Sequence, residues 1–306
     1  MPGYLHIQDF LDRIEFPDAY RAFFYLEAIE SGLARLLSSR NPHTVEIEAL
    51  LPFFNSLVDD ADRSMAPVFA YEITLAKQKT SLQGSTTQSR YRSFFLDSEG
   101  WAPHLRAVRT KYGFLFNAVS DALVYSINNL IECLTRFHAD WTRLKQFLLT
   151  EESSARIKKI TLLSSDRHRM GRQPILLELQ SGSKIIYKPT DLVSDVLFGS
   201  FIDLLKLPKP FDLRYARVMA RVGYGWIEFI PHESCSEYYE IDDYYRRTGV
   251  LLAIADYLNY TDGHTENLIA FGPYPDFGRH RNVIPAWICE QGKPLSFIYY
   301  AGAKNS

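Results

Sequence analysis

The hydrophobic period of the chain changes near Glu151, and this change limits the fold more than any other feature. Before it, apolar residues recur at steps of three and four, the repeat of an amphipathic helix. In Asp18–Ser38 the recurring positions are Phe23, Leu26, Ile29, Leu33 and Leu36–Leu37. Residues 4–78 read as helical, apart from a break at Asn41-Pro42-His43-Thr44, after which Val45–Asp59 resumes the pattern. Lys79–Ser93 is polar and rich in Ser, Thr and Gln, which predicts an exposed loop. From Trp101 to Leu149 the helical repeat returns, with Ala118, Ala122, Val124, Ile127, Leu130 and Leu134 on one stripe. No internal repeat is visible, and this half carries no constellation with the look of chemistry.

After Glu151 the apolar runs are short and β-branched or Leu-rich, separated by Gly and Ser. Arg156–Ser164, Pro174–Gln180 and Lys184–Lys188 predict an antiparallel meander with a turn at Ser181-Gly182-Ser183. A helix is expected over Leu192–Leu205, closed by Pro208 and Pro210. Two more strands follow at Leu213–Ala220 and Gly225–Ile230, joined at Gly223-Tyr224. Tyr238–Asn259 reads as a helix with Leu251, Leu252, Ile254, Ala255 and Leu258 inward. A loop, Thr261–Glu266, then leads into a brief strand, Asn267–Phe271. Five strands with a helix after the third, then a helix and a loop, is the element order of a protein-kinase N-lobe and the start of its C-lobe.

Composition narrows the function classes. The 306 residues hold 34 Lys and Arg against 36 Asp and Glu, so nothing in the net charge of −2 favours nucleic acid or an anionic membrane as partner. An apolar share of 46% is enough to offset ordering entropy and excludes disorder as the main state. Cys133, Cys235 and Cys289 are far apart, which argues against a disulfide framework or a structural zinc. The N-terminus lacks an apolar signal region, and no apolar run reaches the ~18–20 residues that span a bilayer. A cytoplasmic protein without a membrane span is expected.

Three constellations can carry chemistry. Lys188 ends a strand in Ile185-Ile186-Tyr187-Lys188-Pro189, where a lysine can offer a point charge to the phosphates of ATP; the alternative is an exposed strand-end lysine. Asp262 and Asn267 stand five apart in Thr261-Asp262-Gly263-His264-Thr265-Glu266-Asn267, the interval of the kinase catalytic loop. There an Asp takes a hydroxyl proton while an Asn faces a magnesium ion. An Asx-rich turn that ends a helix is the competing reading. His264 alone is weak, since a histidine in a turn is usually just solvated. Asp166, His168, Gly171 and Arg172 occupy the turn between the first two strands, where a kinase covers its phosphates. A basic, His-containing turn at that place suits anion contact or proton transfer, although such a turn in isolation is more often solvated.

Taken in order, Ser165-Asp166-Arg167-His168-Arg169-Met170-Gly171-Arg172, Ile186-Tyr187-Lys188-Pro189, Gly223-Tyr224-Gly225-Trp226-Ile227-Glu228-Phe229, Tyr245-Arg246-Arg247 and Thr261–Asn267 resemble the dehydration domain of LanM-type class II lanthipeptide synthetases. The resemblance covers roughly residues 90–275. It implies a lipid-kinase-like fold that binds ATP and Mg2+, phosphorylates Ser and Thr of a lanthipeptide precursor peptide, and eliminates phosphate to leave dehydro residues. By matching position it gives Lys188 the ATP phosphates and assigns Asp262, His264 and Asn267 to phosphoryl transfer and metal. Asp166 and His168 match the pair associated with elimination, and Arg172 is expected at the nucleotide.

One departure is severe. The family has an Asp-x-Glu segment twelve residues after the Asn, where this chain reads Arg279-His280-Arg281. Asp276-Phe277-Gly278 looks like a kinase DFG but falls nine residues after Asn267 and is expected to lack the preceding apolar strand, which makes it a coincidence. Back-translated and shifted by one base, Asp276–Trp287 is compatible with I-L-V-D-I-E-T-L-F-Q-P, which restores Asp and Glu at the family's interval. The expectation is therefore an α+β chain in three parts: a helical region at 1–150, a kinase-like ATP-binding lobe and catalytic loop at 151–275, and a frameshifted tail at 276–306, poorly ordered or unpacked against the rest. The C-lobe would be incomplete, the true frame would run on into a larger enzyme, and the chain alone would be close to inactive. Two rival readings stay open. One is a small-molecule phosphotransferase using Lys188, Asp262 and Asn267, with Asp276 or Glu290 on the metal. The other is a non-catalytic module that binds nucleotide or peptide.

Overall fold

A computed structural model describes residues 9–16, 21, 25–39, 44–97, 100–101, 103–150, 153–163, 172–259 and 268–276. The chain is α+β, a helical N-terminal region followed by an antiparallel sheet with helices. Two compact units divide it. The first joins Met1–Ala139 to Ala155–Leu162 and Arg167–Arg172; the second joins Asp140–Ser154, Leu163–Asp166 and Gln173–Ser306.

In the first unit, α1 (Leu26–Ser39) buries Ile29, Leu33 and Leu36, three of the positions its period predicts. A single 3-10 turn, Ile47–Leu50, leads into α2 (Leu51–Gln78), which starts at Leu51-Pro52 because a proline in the first turn has no amide to lose. Its inner stripe includes Phe53, Phe54, Leu57, Met65 and Phe69. Asp62 shares that stripe and is tolerated there because Arg21 reaches it at 2.7 Å and the Tyr25 hydroxyl at 3.2 Å.

The polar stretch Lys79–Ser93 departs from expectation. Its second half belongs to α3 (Thr87–Phe95), which opens on a capping box: the Thr86 hydroxyl accepts from the Ser89 amide, and the Ser89 hydroxyl accepts from the Thr86 amide. Such a cap contributes about 1 kcal/mol, and the helix then buries Phe94 and Phe95. Composition hid this helix because its polar first turns precede its apolar anchor. Two short strands, β1 (Leu96–Asp97) and β2 (Gly100–Trp101), pair before α4 (Pro103–Lys111). Leu105 and Val108 of α4 pack with Met65, Phe69, Phe94 and Phe95. The long α5 (Gly113–Phe147) follows, and β3 (Ile157–Leu162) donates its Ile157 amide to the Thr44 carbonyl at 2.7 Å.

The second unit holds β4 (Ile175–Leu179), β5 (Lys184–Lys188), α6 (Val193–Leu205), β6 (Val218–Arg221), β7 (Tyr224–Glu228), α7 (Tyr238–Tyr257), β8 (Ile269–Phe271) and β9 (Tyr274–Asp276). Strands β4, β5, β7 and β6 lie side by side in that order, all antiparallel. The tight turns fall at Gly182 (φ +84°) and Gly223 (φ +76°), conformations that glycine adopts without steric cost.

Three expectations need correction. The fourth strand of the meander begins at Val218, not Leu213, because the Arg217 amide is taken by the Glu228 carboxylate instead of a strand carbonyl. On α7 the inward residues are Tyr244, Arg247, Leu251, Ile254 and Ala255, whereas Leu252 and Leu258 are exposed. Asp276 does have a strand before it: β9 pairs with β8, setting Asp276 opposite Ile269. Of the expected tail, only Asp276 is among the described residues. Among these residues, no helix is long and apolar enough to cross a membrane.

Candidate functional site

Lys188 closes β5. Its strand pairing sets it opposite Gly225, and Tyr187 opposite Trp226. Side chains alternate along a strand, so Lys188 shares a face with Ile186, and Tyr187 points to the other. On the Lys188 face, Ile186, Leu163, Leu192 and Ile227 form a buried cluster. Gly225 is needed there: a Cβ at this position would come within 2.4 Å of Leu192 Cδ1 and 2.9 Å of the Met219 carbonyl oxygen. The bare backbone lets Leu192 close over the strand beside the lysine. Lys188 is only 7% exposed and is engaged by neighbouring groups, so the exposed strand-end alternative does not hold. An ammonium this deep is costly unless it is paired, and neighbouring groups engage Lys188 on an otherwise apolar face.

The opposite face is anchored by a polar node that sequence reasoning missed. Asp140 of α5 is 1% exposed and takes hydrogen bonds from the Tyr224 hydroxyl (2.8 Å) and Trp226 Nε1 (3.0 Å), with Arg221 at 3.2 Å. Its signal was present in the sequence. Phe137, Asp140 and Leu144 stand at i, i+3 and i+7 on one buried helical face, and an acid there requires partners.

A second missed node ties the segment after α6 to α7 and to the β8–β9 hairpin. Arg247 is 4% exposed; it donates to the Asp212 carboxylate (2.7 Å), the Asp212 carbonyl (2.9 Å) and the Pro273 carbonyl (3.1 Å), and it stacks on the Tyr274 ring at 4.1 Å. Tyr274 in turn donates to Asp212 at 3.1 Å. Burial pushes the Asp212 carboxyl up, but the hydrogen bonds from Arg247 and Tyr274, with the Arg247 charge, hold it below its ordinary value. Tyr245-Arg246-Arg247 drew notice in the sequence only as a motif without a role.

At the end of the hairpin, Asp276 is 4% exposed and its Oδ2 has no hydrogen-bond partner. Burial pushes its carboxyl up to about 7; the Arg214 charge and a hydrogen bond from the Ala216 amide oppose that, and the Glu228 charge adds to it. Arg214 also sits over the Phe271 ring at 4.1 Å and reaches Glu228 at 3.4 Å.

Of the other site residues read from sequence, Arg172 lies in the first unit, its guanidinium committed to Glu132 at 3.0 Å, and Glu132 also meets Arg136 at 3.2 Å. Asp166, His168, Asp262, His264 and Asn267 lie outside the described residues. Among the described residues, no group of three or more His, Cys, Asp or Glu side chains is placed to hold a metal ion.

Comparison with known proteins supplies the context for this arrangement. Residues 112–276 match the family described as Domain of unknown function (DUF4135), a span of more than half the chain. The chain belongs to the DUF4135 family. A curated relative, the lacticin 481/lactococcin biosynthesis protein LcnDR2 of Lactococcus lactis subsp. lactis, is 26% identical over 208 residues, covering 65% of this chain. That alignment takes in 22% of the relative, so the chain spans about a fifth of LcnDR2. Together the two matches support a LanM-like fragment, the resemblance carried by the sequence motifs. All seven candidate residues fall within the DUF4135 span, as do the Asp140 node and the Arg247 clamp.

Proposed function

We propose that this DUF4135 chain is part of a lanthipeptide synthetase dehydration domain and that its second unit is a kinase-like, ATP-binding lobe. The observation that carries the reading is Lys188: a buried lysine at a strand end, beside a glycine that thins the sheet. A fixed ammonium there complements the phosphates of ATP. The spacing of Asp262 and Asn267 and the similarity to LcnDR2, a lacticin 481/lactococcin biosynthesis protein, support it.

In this reading the hydroxyl oxygen of a Ser or Thr in a precursor peptide forms a bond to the γ-phosphorus of ATP. The bond to ADP breaks, and Asp262, with His264 two residues on in the sequence, receives the hydroxyl proton. Elimination then removes the Cα proton while the Cβ–O bond breaks and phosphate departs, leaving a dehydro residue. In this reading Asp166 and His168 move that proton. Magnesium would neutralise phosphate charge in such a reaction, but the described residues do not fit it: Asp276, the one acid of the β8–β9 hairpin, is buried beside Arg214.

Poorly neutralised phosphates predict little turnover by these 306 residues alone. The test incubates the chain with ATP, magnesium and a Ser/Thr-rich precursor peptide and follows the peptide mass. No phosphate gain and no loss of water is expected; robust turnover would overturn the inactive-fragment reading while strengthening the family chemistry.

A further inference from the structure

The side chains of α6 that look outward are apolar. Val193, Leu197, Ser200 and Leu204 recur at steps of four, three and four, which sets them in one line along the helix. Val193 is 54%, Leu197 63% and Leu204 76% exposed, and Ser200 is exposed between them. The other side of the helix is already occupied: Gly199 and Ile202 are buried, and a Cβ at Gly199 would come within 2.6 Å of the Tyr215 ring. The Tyr215 hydroxyl also donates to the Asp203 carboxylate at 2.6 Å, which fixes the helix in this orientation. A helix that is apolar on both sides calls for burial on both, and α6 has only one side covered.

The outward line is complementary to itself when two copies lie antiparallel. In one register Val193 meets Leu204 of the other copy and Leu197 meets Ser200, a large side chain over a small one. Ser200 can be covered at little cost, because its hydroxyl already donates to the Val196 carbonyl at 3.0 Å. The same register sets Asp191, just ahead of the helix, opposite Lys206, the residue that caps its end. Both are exposed. A parallel pair would instead bring Asp191 against Asp191 and Lys206 against Lys206, so charge selects the antiparallel arrangement.

We propose that the outward face of α6 is a self-association surface, on which a second copy of this chain docks its own α6 antiparallel about a twofold axis between Leu197 and Ser200. Such a contact is isologous, so each apolar layer and each Asp191–Lys206 pair occurs twice. The apolar line supplies the driving force, while the exposed charge pairs add little affinity and set direction and register. Two 13-residue helices make a contact at the low end of specific interface sizes, so the dimer is weak, with a dissociation constant on the order of 10 µM.

The test is sedimentation equilibrium of the full chain at low salt over roughly 1–200 µM, a range that brackets a weak interface of this size. The wild type should pass from monomer to dimer across it. Leu197→Glu changes a side chain that already faces solvent, so the thermal midpoint should hold while association weakens at least about tenfold. Lys206→Asp should weaken it by about threefold to tenfold, and adding Asp191→Lys should restore most of that loss, because the two charges then trade places across the twofold axis. A wild type that stays monomeric throughout, as it would if another segment of the same chain covered α6, overturns the proposal. So does a folded Leu197→Glu variant that dimerises like wild type. If Leu197→Glu does not fold, the charge exchange decides: no recovery in the double variant overturns the antiparallel pairing. None of these readouts depends on the proposed enzymatic function.

Discussion

Trp226→Ala will destabilise the second unit by about 3–5 kcal/mol, the range for removing a large buried aromatic side chain. Trp226 is fully buried, and its ring lies 5.2 Å from that of Tyr187 on the neighbouring strand. Truncation empties that volume and also removes the Nε1 donor from Asp140, a carboxylate that is 1% exposed. The lost hydrogen bond adds to the cavity because a buried carboxylate left short of donors carries its desolvation cost. Urea titration followed by far-UV circular dichroism should show a midpoint lowered with little change in slope. Trp226→Phe separates the contributions, since it fills most of the space and withholds only the donor. If Trp226→Ala loses less than 1 kcal/mol, Asp140 and the ring do not organise this face as described.

Replacing Arg247 by Gln will cost about 3 kcal/mol, at the lower end for breaking a buried ion pair because its partner Asp212 is still partly exposed. The guanidinium joins three segments by directional bonds that a shorter amide cannot span together. Arg247→Lys keeps the charge and loses the fork, so it should recover only part of the loss. Asp212 is shifted down, so its contribution is present above about pH 4 and disappears as pH falls through the lowered value. In Arg247→Gln that acid-side loss should shrink. An unchanged acid limb in the variant would contradict the pairing.

Much of this architecture could be read from the sequence where one interaction dominates. Period located the buried face of α1 and the later part of the α5 stripe, where Ile127, Leu130 and Leu134 are buried although Ala118 is exposed, and glycine punctuation located the turns at Gly182 and Gly223. Reading was poorer where two signals compete. The polar start of α3 masked a helix whose anchors, Phe94 and Phe95, come only at its end. Leu252 has the hydropathy of a core residue but sits one position from the inward Leu251, about 100° around the helix, and so faces solvent.

The site was legible to a different degree. Lys188 could be singled out because its place at a strand end is a local feature. Its depth could not, since this depends on Leu192 closing over Gly225 from a later segment. The Asp140, Arg247 and Asp276 nodes each join residues far apart in the chain, and only the fold reveals such long-range pairings.

The central claim, that the second unit is an ATP-binding lobe built around Lys188, is tested most directly by calorimetric titration of ATP into the full chain and into Lys188→Met. Saturable binding by the wild type is expected, weakened about 10- to 100-fold in the variant, in line with the loss of a charge-assisted contact of about 1.5–3 kcal/mol. Thermal melting of the variant checks that it is folded before its affinity is compared, since methionine fills similar space but leaves the groups that engage Lys188 without it. Absence of ATP binding by the wild type, or equal affinity in a folded Lys188→Met chain, would contradict the account.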